Sequence, residues 1–104
     1  MEGRAASAYA LIVTLQAFND VAQARDWYEK RRPGLGADFV AKVGETLAMI
    51  ESNPQLYPVL VKEARRANMK RLPYGIWFKV EVDPVVFACL HHRRNPALIK
   101  GRPP

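Results

Sequence analysis

The sequence predicts a single α+β domain with an N-terminal strand, an antiparallel pair of helices and then an antiparallel three-stranded meander. Two patterns carry this prediction. Between residues 17 and 51 apolar side chains recur every three to four positions, as they do in amphipathic helices. Elsewhere they alternate with polar residues or form short continuous runs, as they do in strands. Because only a short link separates the helices, we expect both to pack on one face of the sheet.

The first half of the chain contains one predicted strand and the two helices. We expect residues 1–8 to be a flexible lead-in and residues 9–15, which are mostly apolar, to be a strand buried on both faces. The first helix is predicted over residues 17–32, before Pro33 and Gly34, and the second over residues 37–51, before Asn53 and Pro54. A length of 104 residues suits one domain with one core.

The second half contains the strands of the meander. Residues 64–72, 76–82 and 85–92 are predicted strands, separated by turns at residues 73–75 and 83–84. The last strand is apolar except for the two histidines at its end, which is typical of a central strand. Residues 57–61 are read as either a further short strand or an extended loop, and residues 97–104 as a C-terminal tail.

Composition indicates a basic protein without a membrane segment. No apolar run approaches the roughly 20 residues that a transmembrane helix needs. The single cysteine, Cys89, excludes an internal disulfide and suits the reducing cytoplasm, and its apolar neighbours favour a buried thiol.

The net charge is +6 and the basic residues are clustered. Residues 62–71 contain five basic residues and one acid, and residues 91–102 contain Arg93, Arg94, Lys100 and Arg102 with no acid. Such surfaces favour a polyanion or an acidic protein segment as partner, but the charge taken alone favours a solvated face that maintains solubility.

Several short segments together resemble the RelE/ParE toxin superfamily, which includes the plasmid-stabilisation proteins. The resemblance extends over about residues 9–102. It is carried by Ala24, Trp27, Tyr28 and Glu29 in the first helix; Gly34, Leu35, Gly36 and Phe39; Ile50, Asn53, Pro54, Tyr57 and Pro58; Arg65, Arg66, Arg71, Leu72, Pro73, Tyr74 and Ile76; and His91, Arg93, Arg94, Pro96 and Arg102. Where the family often has an aromatic residue three positions after the last of these prolines, this chain has Ile99.

The resemblance implies the toxin of a type II toxin–antitoxin pair, neutralised in a toxin–antitoxin complex by a cognate antitoxin whose tail wraps over the sheet. Related proteins act in two ways: ParE-like members bind and poison DNA gyrase, and RelE-like members cleave mRNA on the ribosome. We favour the ParE-like mode because the closing segment is more similar to the plasmid-stabilisation proteins and no complete acid–base set is evident. The RelE-like enzyme and a member that only binds its partner remain alternatives, and we expect no cofactor.

For a RelE-like enzyme the candidate catalytic residues are Arg65, Arg71, His91 and Arg93. RNA cleavage requires cations that stabilise the phosphorane and a group that moves protons near neutral pH, which histidine can do. A histidine at the end of a strand, however, more often forms only local hydrogen bonds. We expect no metal site, because His91 and His92 are adjacent in a strand and point to opposite faces.

Seven further residues are candidates for binding a target or an antitoxin: Arg66, Lys70, Tyr74, Trp77, Lys79, His92 and Arg94. Trp77 should lie opposite Ile76 and Phe78, either as an exposed contact residue or buried under the C-terminal segment. Arg93 and Arg94 suit a phosphate or an acidic antitoxin tail, or simply belong to a solvated loop. We expect the last three strands to present their cations on the face that the helices leave uncovered.

Overall fold

The computed structural model describes residues 9–102, so the predicted lead-in at residues 1–8 lies outside the described part of the chain. The helices are α1 (Leu15–Arg31), α2 (Leu35–Ser52) and the short α3 (Ala97–Lys100), and a 3-10 turn covers Pro54–Leu56. The strands are β1 (Ile12–Val13), β2 (Val59–Val61), β3 (Ala64–Asn68), β4 (Tyr74–Val80) and β5 (Pro84–His91). Within residues 9–102, none of the helices has the length and apolar character required to cross a membrane.

The five strands form one mixed sheet in the order β1-β5-β4-β3-β2. Strands β2 to β5 are antiparallel neighbours, which confirms the predicted meander and resolves residues 57–61 as containing a further strand. β1 instead runs parallel to β5, with Ile12 opposite Val85 and Val13 opposite Val86. The two long helices pack on one face of this sheet, as predicted.

The expectation that residues 9–15 form a central, doubly buried strand is wrong. β1 is two residues long, lies at the sheet edge, and leaves Ile12 49% and Val13 39% exposed. The strand ends there because Thr14 begins α1 and its side-chain oxygen accepts a hydrogen bond from the Ala17 amide at 3.2 Å. Ile12 and Val13 therefore contribute to exposed surface, while Leu11 packs against the helix-side core.

The link between the helices depends on Glu29. Its carboxylate accepts hydrogen bonds from the Gly34 amide at 3.1 Å and from the Gly36 amide at 3.0 Å, so it satisfies donors at the start of α2. Gly34 has a φ of 96°, a conformation that residues with a side chain rarely adopt. Gly36 is buried against α1, where an added Cβ would lie 3.0 Å from the Arg25 carbonyl oxygen. These contacts explain why the resembling segments include Glu29, Gly34 and Gly36.

A bulge in β5 breaks the simple alternation of its side chains. Trp77 pairs with Ala88 and Phe78 pairs with Val86, so Phe87 is an extra residue opposite β4. Val86 and Cys89 consequently contact the helix-side core, whereas Phe87 and Ala88 both face the other side. Unbroken alternation along residues 85–92 would instead place Phe87 on the same face as Cys89, and the bulge prevents this.

Each face of the sheet carries a cluster of buried side chains. The helix-side core is centred on fully buried side chains that include Phe39, Ile50, Ile76 and Phe78. On the opposite face Trp77, Phe87 and Leu90 pack against Ile99 of α3, which is 4% exposed. The predicted C-terminal tail thus forms a strap, residues 95–102, that covers part of the second face and buries Trp77 to 4% exposure.

Candidate binding surfaces and the family of the chain

The outer side of the helix pair carries an apolar groove with a volume of about 350 Å³. Phe18 is 65% exposed there and Val40 is 42% exposed. Of the described residues that line the groove, Arg25 alone is charged, and the main apolar ones are Val13, Phe18, Val21, Val40, Val43 and Leu47. Exposed apolar surface of this extent is typical of a protein-binding site.

A second and larger depression, of about 670 Å³, lies between α1 and the end of β5. Its walls combine Trp27 of α1 with Tyr74, His91, Arg93 and Arg94. Trp27 is 50% exposed. The Arg31 guanidinium lies 4.1 Å from the centre of the Trp27 ring. This depression is therefore both aromatic and cationic.

β1 pairs with only the first part of β5. Past that point, two side chains far apart in sequence form hydrogen bonds to the backbone of β5. The Asp20 carboxylate of α1 accepts hydrogen bonds from the Cys89 amide at 2.9 Å and from Arg102 Nη1 at 2.5 Å. Arg102 also donates to the Phe87 carbonyl oxygen at 3.3 Å. Both side chains are largely buried, 13% exposed for Asp20 and 14% for Arg102. This ion pair fastens the strap to α1.

Three cationic or titratable side chains meet on the face opposite the long helices. Arg66, His92 and Arg94 line one small depression beside Trp77, and we call this set the cationic cluster. The Arg66 guanidinium carbon is 5.4 Å from the centre of the Trp77 ring. The Nε of Arg66 is buried without a hydrogen-bond partner. Within residues 9–102, no carboxylate forms a salt bridge with Arg66 or Arg94.

Burial and neighbouring cations shift the ionisation of groups around the cationic cluster. The pKa of His92 is lowered first by burial and then by the charges of Arg66 and His91. Burial raises the pKa of Tyr74, and Tyr28 and Cys89 add to the increase while Arg94 opposes it. His92 consequently titrates below its ordinary range, and an anion placed beside it would raise its pKa.

The four candidate catalytic residues are only partly brought together: His91 and Arg93 line the depression beside Trp27, whereas Arg65 and Arg71 do not line it. Arg65 lies in register with Phe78, on the helix side of the sheet, and donates to the Tyr57 carbonyl oxygen at 2.5 Å and to Gln55 at 3.2 Å. Arg71 is exposed in the turn between β3 and β4, with a φ of 66°. His91 packs edge-to-face on Tyr74, and its Nδ1 accepts the Arg93 amide at 3.0 Å.

The seven candidate binding residues are divided between several surfaces. Arg66, Trp77, His92 and Arg94 adjoin one another, although Trp77 is buried rather than exposed. Lys79 lies in another depression and forms ion pairs with Glu63 at 3.5 Å and Glu81 at 3.8 Å. Lys70 is exposed in the turn after β3, and Tyr74 contacts Phe39 and Tyr28 on the helix side. In the described part of the chain, no group of three metal-binding side chains comes together.

Two features of these surfaces were missed by the sequence analysis. The apolar groove was signalled by Phe18 and Val40, which widen the apolar stripe of each helix beyond what one core contact requires. The pair formed by Asp20 and Arg102 had no such signal, because its members are 82 positions apart.

Comparison with known proteins identifies the family. Residues 11–96 match the family model described as ParE toxin of the type II toxin–antitoxin system, parDE. The chain belongs to this family. Among solved structures it is similar to a chain described as "Chromosomal ParDE TA system from P. aeruginosa", with a TM-score of 0.73 and 18% sequence identity over 80% of this chain and 95% of the other. That structure supports the fold, and no curated protein sequence matches significantly.

Membership of the ParE toxin family makes the chain a toxin of the type II toxin–antitoxin class, for which an antitoxin is the implied partner. The matched residues include all of α1, α2 and the five strands but stop at Pro96, before α3. The Arg102 contact that closes the β5 edge therefore lies outside the matched region.

Proposed function

We propose that this ParE-family toxin inhibits growth by binding an essential target such as DNA gyrase, and that an antitoxin bound in the apolar groove neutralises it. The observation that carries the proposal is the exposed apolar surface of Phe18 and Val40 on the helix pair. Residues 9–102 leave this surface uncovered, so a partner that covers it gains the hydrophobic free energy of burial.

The shape and charge of the groove favour an amphipathic helix as the antitoxin segment. The apolar face of an amphipathic helix can dock in an apolar groove between two helices. Arg25 at the groove supplies a cation for an acidic residue on the antitoxin, although Arg25 now pairs with Asp26 at 3.0 Å on the exposed surface. An antitoxin tail of this kind gains order on binding.

A binding mode of action is supported over RNA cleavage by the state of the candidate catalytic groups. Arg65 is held on the helix side by Tyr57 and Gln55. The Nδ1 of His91 already accepts a backbone hydrogen bond. General acid–base catalysis requires the proton-moving group and the charge-stabilising cations within hydrogen-bond reach of one phosphate. Arg65 and Arg71 do not line the depression that holds His91 and Arg93, which supports a binding mode of action.

Inducible expression tests the mode of action when DNA supercoiling and mRNA integrity are followed in the same culture. We expect growth arrest, relaxed or cleaved plasmid DNA and intact mRNA. Early mRNA cleavage that disappears in His91→Ala and Arg71→Ala would instead establish the endonuclease. Normal growth with stable accumulation of the protein would contradict toxicity and leave a member that only binds its partner.

Gly44 allows the antitoxin groove to be blocked without disturbing the fold. It lines the groove, and an added Cβ there meets nothing within 4 Å. Gly44→Leu should therefore fill the groove, retain toxicity and abolish rescue by the protein encoded in the adjacent reading frame. Ala41→Leu, on the exposed surface of the same helix and outside the groove, is the matched control and should still be rescued. Equal rescue of both variants would contradict the proposed antitoxin site.

A further inference from the structure

The cationic cluster of Arg66, His92 and Arg94 has the features of an anion site. We propose that it binds a phosphate group, supplied either by a nucleic-acid backbone or by a free phosphate or nucleotide. It lies on the opposite face from the antitoxin groove. The proposal therefore stands independently of the proposed function.

Among residues 9–102, no acidic side chain pairs with the arginines of the cationic cluster, so their positive charge favours an external anion. Glu63 and Glu81, on this side of the sheet, are engaged by Lys79. Asp20, which lines a neighbouring depression together with Arg94, is engaged by Arg102. Within residues 9–102, Arg66 and Arg94 make no salt bridge, and their side chains form no hydrogen bond. Neighbouring cations repel one another, and a bound anion would offset this repulsion because it attracts each of them.

Arg66 is held in place before any ligand arrives. Its Cγ and Cδ lie across Gly75, where an added Cβ would be 2.8 Å and 2.6 Å from these atoms. Its guanidinium adjoins Trp77, and its Nε is buried without a partner. Fixing a long side chain in advance reduces the entropy lost on binding. The absence of a side chain at Gly75 is thus what allows the arginine to lie flat on the sheet.

The donor set fits phosphate better than carboxylate. Three separate side chains, two of them guanidinium groups, converge on one depression. A phosphate group offers oxygens in several directions and can accept from all three, whereas one carboxylate is satisfied by a single bidentate arginine. The depression itself has a volume of only about 20 Å³, so the phosphate would lie at its mouth, where the exposed Arg94 and His92 can reach it.

The test follows the His92 imidazole by NMR in titrations of the full chain with inorganic phosphate, a nucleoside monophosphate and a single-stranded DNA oligonucleotide. Chloride at matched ionic strength is the reference. Phosphate should raise the pKa of His92 and bind saturably. Arg66→Gln and Arg94→Gln should each weaken binding about tenfold to a hundredfold, the typical effect of losing one charge-assisted hydrogen bond. Lys30→Gln, which removes an exposed charge from the last turn of α1, is the matched control and should change nothing.

The variants also provide an internal check. Because Arg66 lowers the pKa of His92, Arg66→Gln alone should raise that pKa and reduce its further response to phosphate. Tighter binding of the oligonucleotide than of the monophosphate would assign the site to a nucleic-acid backbone, and the reverse would assign it to a free ligand. The proposal is overturned if none of the three ligands shifts His92 beyond the chloride reference, or if Lys30→Gln weakens binding as much as Arg66→Gln.

Discussion

The ion pair between Asp20 and Arg102 should contribute measurably to stability, and Arg102→Gln tests this. The substitution removes hydrogen bonds to the Asp20 carboxylate and to the Phe87 carbonyl oxygen. Asp20 then keeps only the Cys89 amide as a hydrogen-bond donor and remains largely buried. A carboxylate that loses its cation in such a position is destabilised, because neither water nor another charge replaces the lost interaction fully.

The magnitude follows from the burial of the pair. Breaking a fully buried pair costs about 3–5 kcal/mol, and an exposed pair is worth about 0–1 kcal/mol. Since the two side chains are 13% and 14% exposed and the four-residue α3 can shift to admit water, we expect a loss of about 2 kcal/mol. For a domain of this size that corresponds to a decrease in Tm of about 8–16 °C.

Thermal and urea denaturation would measure this loss, and hydrogen exchange would locate it at the Cys89 amide. Asp20→Asn retains an acceptor for that amide, whereas Asp20→Ala does not, so alanine should cost more. Arg25→Gln is the matched control, because Arg25 pairs with Asp26 on the exposed surface and should change stability by less than about 1 kcal/mol. The reasoning is refuted if Arg102→Gln is no more destabilising than Arg25→Gln.

Three further predictions test the buried thiol, the link between the helices and the close approach at Gly75. Burial, followed by the nearby charge of Asp20, raises the pKa of Cys89 to about 12, so the thiol should resist alkylation by iodoacetamide at neutral pH and react promptly in denaturant; rapid reaction of the native protein would contradict its burial. Glu29→Ala should cost about 1–2 kcal/mol in urea denaturation, because the amides of Gly34 and Gly36 lose their acceptor; an unchanged midpoint would show that water replaces the carboxylate. Gly75→Ala should destabilise the protein by about 1 kcal/mol, because the Arg66 stem must move, and should weaken phosphate binding; a more stable variant with intact binding would contradict both expectations.

Local sequence patterns were sufficient to predict the order of elements. The spacing of Val43, Leu47 and Ile50 predicted α2, and the alternation of Ile76, Phe78 and Val80 predicted β4, with Trp77 on the opposite face. These predictions succeeded because the period of apolar residues is a local property of each element. The buried state of Cys89 followed in the same way from its apolar neighbours.

Local patterns were insufficient wherever a distant element decided the outcome. Whether an apolar strand is central or at an edge depends on its neighbours, so the exposure of Ile12 in β1 was not evident. The cations expected on one uncovered surface are only partly gathered: Arg66 lies on the face opposite the helices, whereas Arg65 lies on the helix side.

The sequence by itself determined the two long helices, the antiparallel strands of the meander and the basic character of the chain, because these depend on composition or on residues close together. The tertiary structure alone decided three things: the bulge at Phe87 that sets which side chains share a face, the strap over Trp77, and the pairing of Asp20 with Arg102. Each arises from contacts between segments far apart in the chain. Their energies depend on packing and burial in three dimensions. No periodic pattern in the sequence therefore indicates these contacts.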